Sequence, residues 1–173
     1  GASLGATDII LALHQVFDSP KDKIIFDTGH QAYAHKLLTG RFERFDTIRT
    51  YKGLCGFTDP LESQHDHFFA GHAGTALSLA LGVHDSMRQS ADEPWTIAVI
   101  GDASLSCGLT LEALNNISPY HKRLLIILND NGMSISKGCG NFHNYLEKIQ
   151  KLPFNSLREN FSDIFSIFNL KYI

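Results

Sequence analysis

An α/β fold built on a parallel, doubly wound sheet is what this sequence of 173 residues predicts, on three observations. The runs "IIFD", "TIAVI" and "LLIIL" are rich in branched aliphatic residues and too short for helices, as buried strands are. Each opens into a polar turn carrying Gly, Asp or Asn. Between the runs, apolar residues recur at helical spacing, and alternation of strand and helix is the mark of parallel βαβ units.

Residues 3–17 place Leu4, Ile9, Leu11, Leu13, Val16 and Phe17 densely around Asp8 and His14, which predicts a largely buried helix. "DSPKDK" supplies a turn, and "IIFD" is the first strand. "TGHQAYAHKLLTG" reads as a helix entered through glycine and ending at Gly40. Residues 41–70 follow no period and mix Gly, Pro, His and acids. A long polar connection of this kind is more often functional than filler. In "AGHAGTALSLALGVHDSMRQS", Thr75, Leu77, Leu79, Leu81 and Val83 sit among small residues, a helix suited to close packing. "DEP" ends it, and "TIAVI" begins the next strand. After the Gly-Asp step, Leu109, Leu111, Leu114 and Ile117 mark a further helix that stops near Pro119. The strand "LLIIL" then runs into "NDNGMS". In the tail, 141–173, Tyr145, Leu146 and Ile149 predict one helix, and Leu157, Phe161, Ile164, Phe165 and Phe168 predict a packing helix without chemistry.

A hydrophobic content of 43% suits one globular domain with a sizeable core, and a formal net charge of −3 without a Lys/Arg run excludes the footprint of a nucleic-acid or anionic-membrane binder. Cys55, Cys107 and Cys139 are odd in number and widely spaced, which fits neither a disulfide framework nor a metal knuckle and points to a reducing, cytoplasmic setting. No apolar run is long enough for a membrane span, and no signal-peptide layout opens the chain. Gly1 in place of Met, inside a periodic segment, predicts a piece of something longer.

Asp102 and Asn131 each follow a buried strand in adjacent βα units, so both are expected at the carboxyl edge of the sheet, where ligands of such folds bind. A carboxylate, an amide oxygen and a nearby carbonyl form a hard-oxygen set that suits Mg²⁺ with phosphate oxygens and water. Ala103 and Ser104 would open the next helix, whose free N–H groups favour phosphate. Each residue alone reads more readily as an N-cap or turn residue; the pair favours metal and diphosphate. The stretch His65, Asp66, His67 and His72 carries metal-ligating side chains but lacks the spacing of a common zinc module.

"GDA" followed by "NDN" resembles the Gly-Asp-Gly to Asn-Asn motif of thiamine diphosphate enzymes. "GASLGATDIILALHQVFDSPKDKIIFDTGHQAYAHKLLTGR", "GLCGFTDPLESQHDHFFAGH", "LEALNN", "LNDNGMSIS" and "LKYI" resemble, more narrowly, the N-terminal part of 1-deoxy-D-xylulose-5-phosphate synthases. That resemblance implies a single diphosphate-binding domain over 1–173, incomplete at both ends, with the pyrimidine-binding and C-terminal domains outside it. It implies Asp102, the Asn131 side chain and the Met133 carbonyl as Mg²⁺ ligands. His30, Gly71, His72, Ala73, Ala103, Ser104 and Asn131 would meet thiamine diphosphate, with His30 and His72 as catalytic proton carriers. The implied reaction is condensation of pyruvate with glyceraldehyde 3-phosphate, with loss of CO₂, in a cytoplasmic bacterial-type homodimer. The product would serve isoprenoid precursor, thiamine and pyridoxal biosynthesis.

The chain departs from that pattern at Ala103, where the family has glycine, and in "GHAG", where "GHSS" is usual. The family's histidine before "GASLG" and its pyrimidine-activating glutamate fall outside the chain, so this piece alone is expected to be inactive. The connection near 160–166 is shorter than the family's. Two alternatives remain: a transketolase-type ketol transfer on the same cofactor, and a non-catalytic module that keeps the fold.

Overall fold

The computed structural model describes residues 2–88, 92–130 and 140–151. Three strands, β1 (Lys23–Phe26), β2 (Thr96–Gly101) and β3 (Leu124–Asn129), form a parallel sheet in the order β1-β2-β3. The register pairs Phe26 with Val99 and Gly101 with Asn129, so all three carboxyl ends meet at one edge.

The strands fall where the aliphatic runs predict, and side-chain alternation divides them between two cores. Ile25, Ala98 and Ile100 face α4 (Ala76–Met87), α6 (Gly108–Asn115) and Leu146 of α7 (Asn141–Gln150). Ile24, Phe26, Ile97 and Val99 face Ala6 and α2 (Thr7–Val16), through its Ile10 and Leu13. Helices thus cover both faces, as a doubly wound sheet requires. β3 is only half-buried up to Asn129 because it is the edge strand of the described sheet.

The helices are shorter than their periodicity predicts. The first is split at Ala6 into α1 (Ala2–Gly5) and α2, and it is amphipathic rather than largely buried: Leu4, Leu11 and Val16 are exposed. The segment ending at Gly40 is a 3-10 turn (Gly29–Ala32), one turn of α3 (Tyr33–Lys36) and a distorted π turn (Leu37–Arg41). Thr39 Oγ1 takes the His35 carbonyl at 2.6 Å, and Gly40 at φ 87° ends the helical path. α4 starts at Ala76, leaving 71–75 as a loop. After β2 comes the short α5 (Asp102–Leu105), and α6 buries Thr110, Ala113 and Leu114 while Leu109 and Leu111 stay exposed. The predicted packing helix over 157–168 and the loop "NDNGMS" from Asn131 onward lie outside the described residues, as does Cys139.

Candidate functional site

The carboxyl edge of the sheet is where the sequence motifs converge. β1 runs into the 3-10 turn of "GHQA", β2 into α5, and β3 into Asp130. Gly101, extended at φ −89° and ψ 161°, holds the cap position of α5, and Asp102 is its first helical residue. Asp102 therefore does not cap the helix, and among the described residues no hydrogen bond or ion pair engages its half-buried carboxylate. Its counterpart on the neighbouring strand is Asp130, one step past the Gly101 and Asn129 pair, with strands about 4.8 Å apart in such a ladder.

Ala103 lies within α5, and among the described residues those other than glycine at positive φ are Arg49 and Lys52. Position 103 thus demands nothing of glycine, and alanine occupies it without strain. Ser104 is buried and Ala103 exposed. α5 is a single turn, so it offers free first-turn N–H groups rather than a developed macrodipole.

Two further loops press against this turn. A β-carbon on Gly101 would stand 3.6 Å from Gln31 Nε2 and 3.9 Å from Ser104 Oγ, so the "GHQA" turn packs on the "GDAS" turn. Gly74 of "AGHAG" adopts φ +85°, and a β-carbon there would lie 2.7 Å from the Cys107 β-carbon. Asp27, fully buried at the end of β1, fixes that loop: its Oδ1 accepts from the Gly74 amide at 2.8 Å and the Ala76 amide at 3.1 Å. The same edge holds two buried oxygens without a donor among the described residues, Asp27 Oδ2 and Gln31 Oε1. Neither Asp27 nor Gln31 stands out in the sequence. The signal for Asp27 is its place: an acid directly after "IIF", as Asp102 follows "TIAVIG".

Gly71, His72 and Ala73 are exposed on this loop, and Thr75 Oγ1 donates to the His72 carbonyl at 2.9 Å. His72 borders an open, mostly apolar depression of about 450 Å³, with Phe68, Phe69 and Leu79 among its walls. Backbone geometry places His30 in the 3-10 turn beside Gly29, whose missing β-carbon admits Phe57 from the long connection. The His30 side chain lies outside what is described, and so do Asn131 and Met133.

The long connection has a structural job. Arg41 donates to both carboxylate oxygens of Asp66, at 2.5 and 3.0 Å; the Asp59 amide donates at 2.8 Å; and His35 Nε2 stands 3.0 Å away. Buried Lys36 meets Glu62 at 2.5 Å. Burial works to raise the Asp66 carboxyl, but the His35 and Arg41 hydrogen bonds outweigh it and hold the group well below the usual carboxylate range. His65 bonds Ser19 Oγ at 2.9 Å, and His72 stands at the depression, so the described part of this stretch gathers no metal-binding group.

Comparison with known proteins adds a further line. The family model for 1-deoxy-D-xylulose-5-phosphate synthase matches residues 1–171. A protein of that name from Chlamydia pneumoniae is 59% identical over 140 residues, covering 80% of this chain and 22% of the relative. One from Sulfurimonas denitrificans is 48% identical over 170 residues, covering 95% of this chain and 28% of the relative. One from Brevibacillus brevis is 52% identical over 148 residues, covering 86% and 24%. The chain spans about a quarter of the length of these curated relatives.

Proposed function

This chain belongs to the 1-deoxy-D-xylulose-5-phosphate synthase family, and on that premise we propose that it forms the diphosphate-binding part of a thiamine diphosphate- and Mg²⁺-dependent transferase. The proposed reaction condenses pyruvate with glyceraldehyde 3-phosphate, releasing CO₂ and forming 1-deoxy-D-xylulose 5-phosphate. The observation that carries the reading is the carboxylate of Asp102, unengaged among the described residues, one residue past the cap and one step beyond the Gly101 and Asn129 pair.

The donors at this edge fit the cofactor and its cation. Asp102 is a hard-oxygen ligand without a competing partner among the described residues, which suits Mg²⁺. Asp27 Oδ2 and Gln31 Oε1 are buried acceptors that a bound group with N–H donors, or a hydrated cation, satisfies. Thiamine diphosphate, when bound, supplies the carbanion chemistry that joins the two substrates.

The chain's own residues bind and orient. Asp102, the Asn131 side chain and the Met133 carbonyl would hold Mg²⁺, and the first-turn N–H groups of Ala103 and Ser104 would serve the diphosphate. Gly71, His72 and Ala73 line the cofactor, and Asp27 keeps their loop in place through Gly74. His30 and His72 move protons at the reacting end, a role that imidazole fills near neutral pH. The homodimer and the cytoplasmic setting belong to the same reading.

Radiolabelled CO₂ release from pyruvate by the full-length protein tests the proposal. Release that depends on glyceraldehyde 3-phosphate, and that falls at least about 100-fold in Asp102→Ala, or roughly 2.8 kcal/mol of transition-state stabilisation, is the expected outcome. An unchanged rate in the variant removes Asp102 from the site, and absence of release removes pyruvate as the donor.

A further inference from the structure

At the opposite end of the sheet lies a second cluster of chemistry-bearing side chains. His84 is in the last turn of α4, Glu93 precedes β2, and His121 precedes β3, so the amino-end edge brings them together. Among the described residues, His84, Asp85 and His121 offer ligand atoms that all lie within 4.8 Å of one another. We propose that these three residues bind a divalent transition metal of the zinc type, with Glu93 supporting His84 from behind.

His84 is only 1% exposed, yet neither ring nitrogen has a hydrogen-bond partner of good geometry among the described residues. A buried polar atom left so is costly, and an unplaced ion is one of its ordinary explanations. Carboxylate oxygens nonetheless stand close to both nitrogens, without hydrogen-bonding geometry. Nε2 stands 3.3 Å from Glu93 Oε1, and Nδ1 faces Asp85 Oδ1 at 4.0 Å. His121 Nε2, also buried and unpartnered, is 3.2 Å from the same Asp85 oxygen, and the two imidazole rings are 5.1 Å apart.

Donors at 2.0–2.1 Å from a tetrahedral Zn²⁺ are separated from one another by roughly 3.4 Å. The 3.2 and 4.0 Å separations lie close to that value, and closing the rest takes side-chain movement of about an ångström. Glu93 stands 3.3 Å from the far nitrogen of His84, where a small ring rotation on metal binding would complete the carboxylate, histidine, metal arrangement that fixes a ligand's tautomer. At His121, Nδ1 accepts from the Ser118 amide at 2.9 Å in the metal-free tautomer; ligation through Nε2 puts the proton on Nδ1, gives up that bond and leaves the Ser118 carbonyl at 3.2 Å as the acceptor.

Two imidazoles and one carboxylate select Zn²⁺, Ni²⁺ or Cu²⁺ over Mg²⁺, so this site and the one at Asp102 choose different ions. Asp85 is half-exposed, which opens the site to entry and leaves the fourth position to water. The bound ion would staple the end of α4 to the entries of β2 and β3.

The experiment uses the full-length protein, stripped of transition metals and kept in saturating Mg²⁺, titrated with Co²⁺ as a spectroscopic substitute for Zn²⁺. One Co²⁺ per chain with visible absorption of a low-symmetry four- or five-coordinate site, displaced by Zn²⁺, is expected. Asp85→Ala, at a half-exposed position that folding tolerates, and His121→Ala should each weaken Co²⁺ at least about 100-fold, and Glu93→Gln about 10- to 100-fold. Zn²⁺ should raise the melting temperature of the unmutated protein and leave that of Asp85→Ala unchanged. Failure to bind one Co²⁺ per chain, binding that survives both Asp85→Ala and His121→Ala, or a thiolate charge-transfer band from cysteine ligation would each overturn the proposal.

Discussion

Gly74 meets two demands at once: a left-handed backbone at φ +85° and a gap too narrow for a β-carbon against Cys107. Gly74→Ala adds about 1–2 kcal/mol of backbone strain before the clash is counted, so the urea midpoint should fall by at least that equivalent; an unmoved midpoint contradicts the geometry. Ala103 is the reverse case. Because it sits in helical backbone, restoring the family's glycine through Ala103→Gly should leave thiamine diphosphate affinity within about threefold, or roughly 0.7 kcal/mol, by calorimetry. A gain well beyond that would mean the methyl group blocks the diphosphate. Asp102 stands out in the sequence as a candidate because it follows an aliphatic run and is matched by Asn131 after the next one. Asp27 has the same signature but was hidden, because its partners are amides some fifty residues on, and no local pattern announces them.

At the scale of elements, Asp27 joins the end of β1 to the start of α4. Asp27→Ala removes a buried acceptor from two amides and should cost about 1.5–3 kcal/mol, with looser cofactor binding because the "AGHAG" loop loses its anchor. Denaturant melts and calorimetry on one preparation separate the two effects. The buried groups around His35 carry a pH dependence. Burial, aided by neighbouring positive groups, pushes His14 and His67 down to about 4 from an ordinary 6.5. Between those values the unfolded chain binds more protons than the folded one, so stability is complete above about 6.5 and declines as pH falls toward 4. Asp66, held low by His35 and Arg41, adds a loss at still lower pH as its carboxylate is protonated. Urea midpoints from pH 7.5 down to 4.5 should fall steadily, and less steeply in His67→Gln; a flat profile contradicts the burial of neutral histidines. The strands were legible because each aliphatic run is self-contained. The helix ends were not, since Thr39, Gly40 and the Arg41 to Asp66 pairing stop or bend the path through tertiary contacts.

At the scale of the molecule, the parallel sheet gives its two edges different work. The described βα turns "GHQA" and "GDAS" pack on each other at the carboxyl edge, with the "AGHAG" loop held there by Asp27 and Cys107, while the amino edge collects His84, Glu93 and His121. The first arrangement was legible because strand order and motif position suffice to predict it. The second was not, because its members look like ordinary surface residues until α4 and two strand entries meet. The central claim is that Asp102 holds the cation that anchors the diphosphate. Calorimetric titration of thiamine diphosphate into the full-length protein, with and without Mg²⁺, measures it most directly. Mg²⁺-dependent binding that weakens about 100-fold in Asp102→Ala is predicted, and equal affinity in the variant and the unmutated protein would contradict the account.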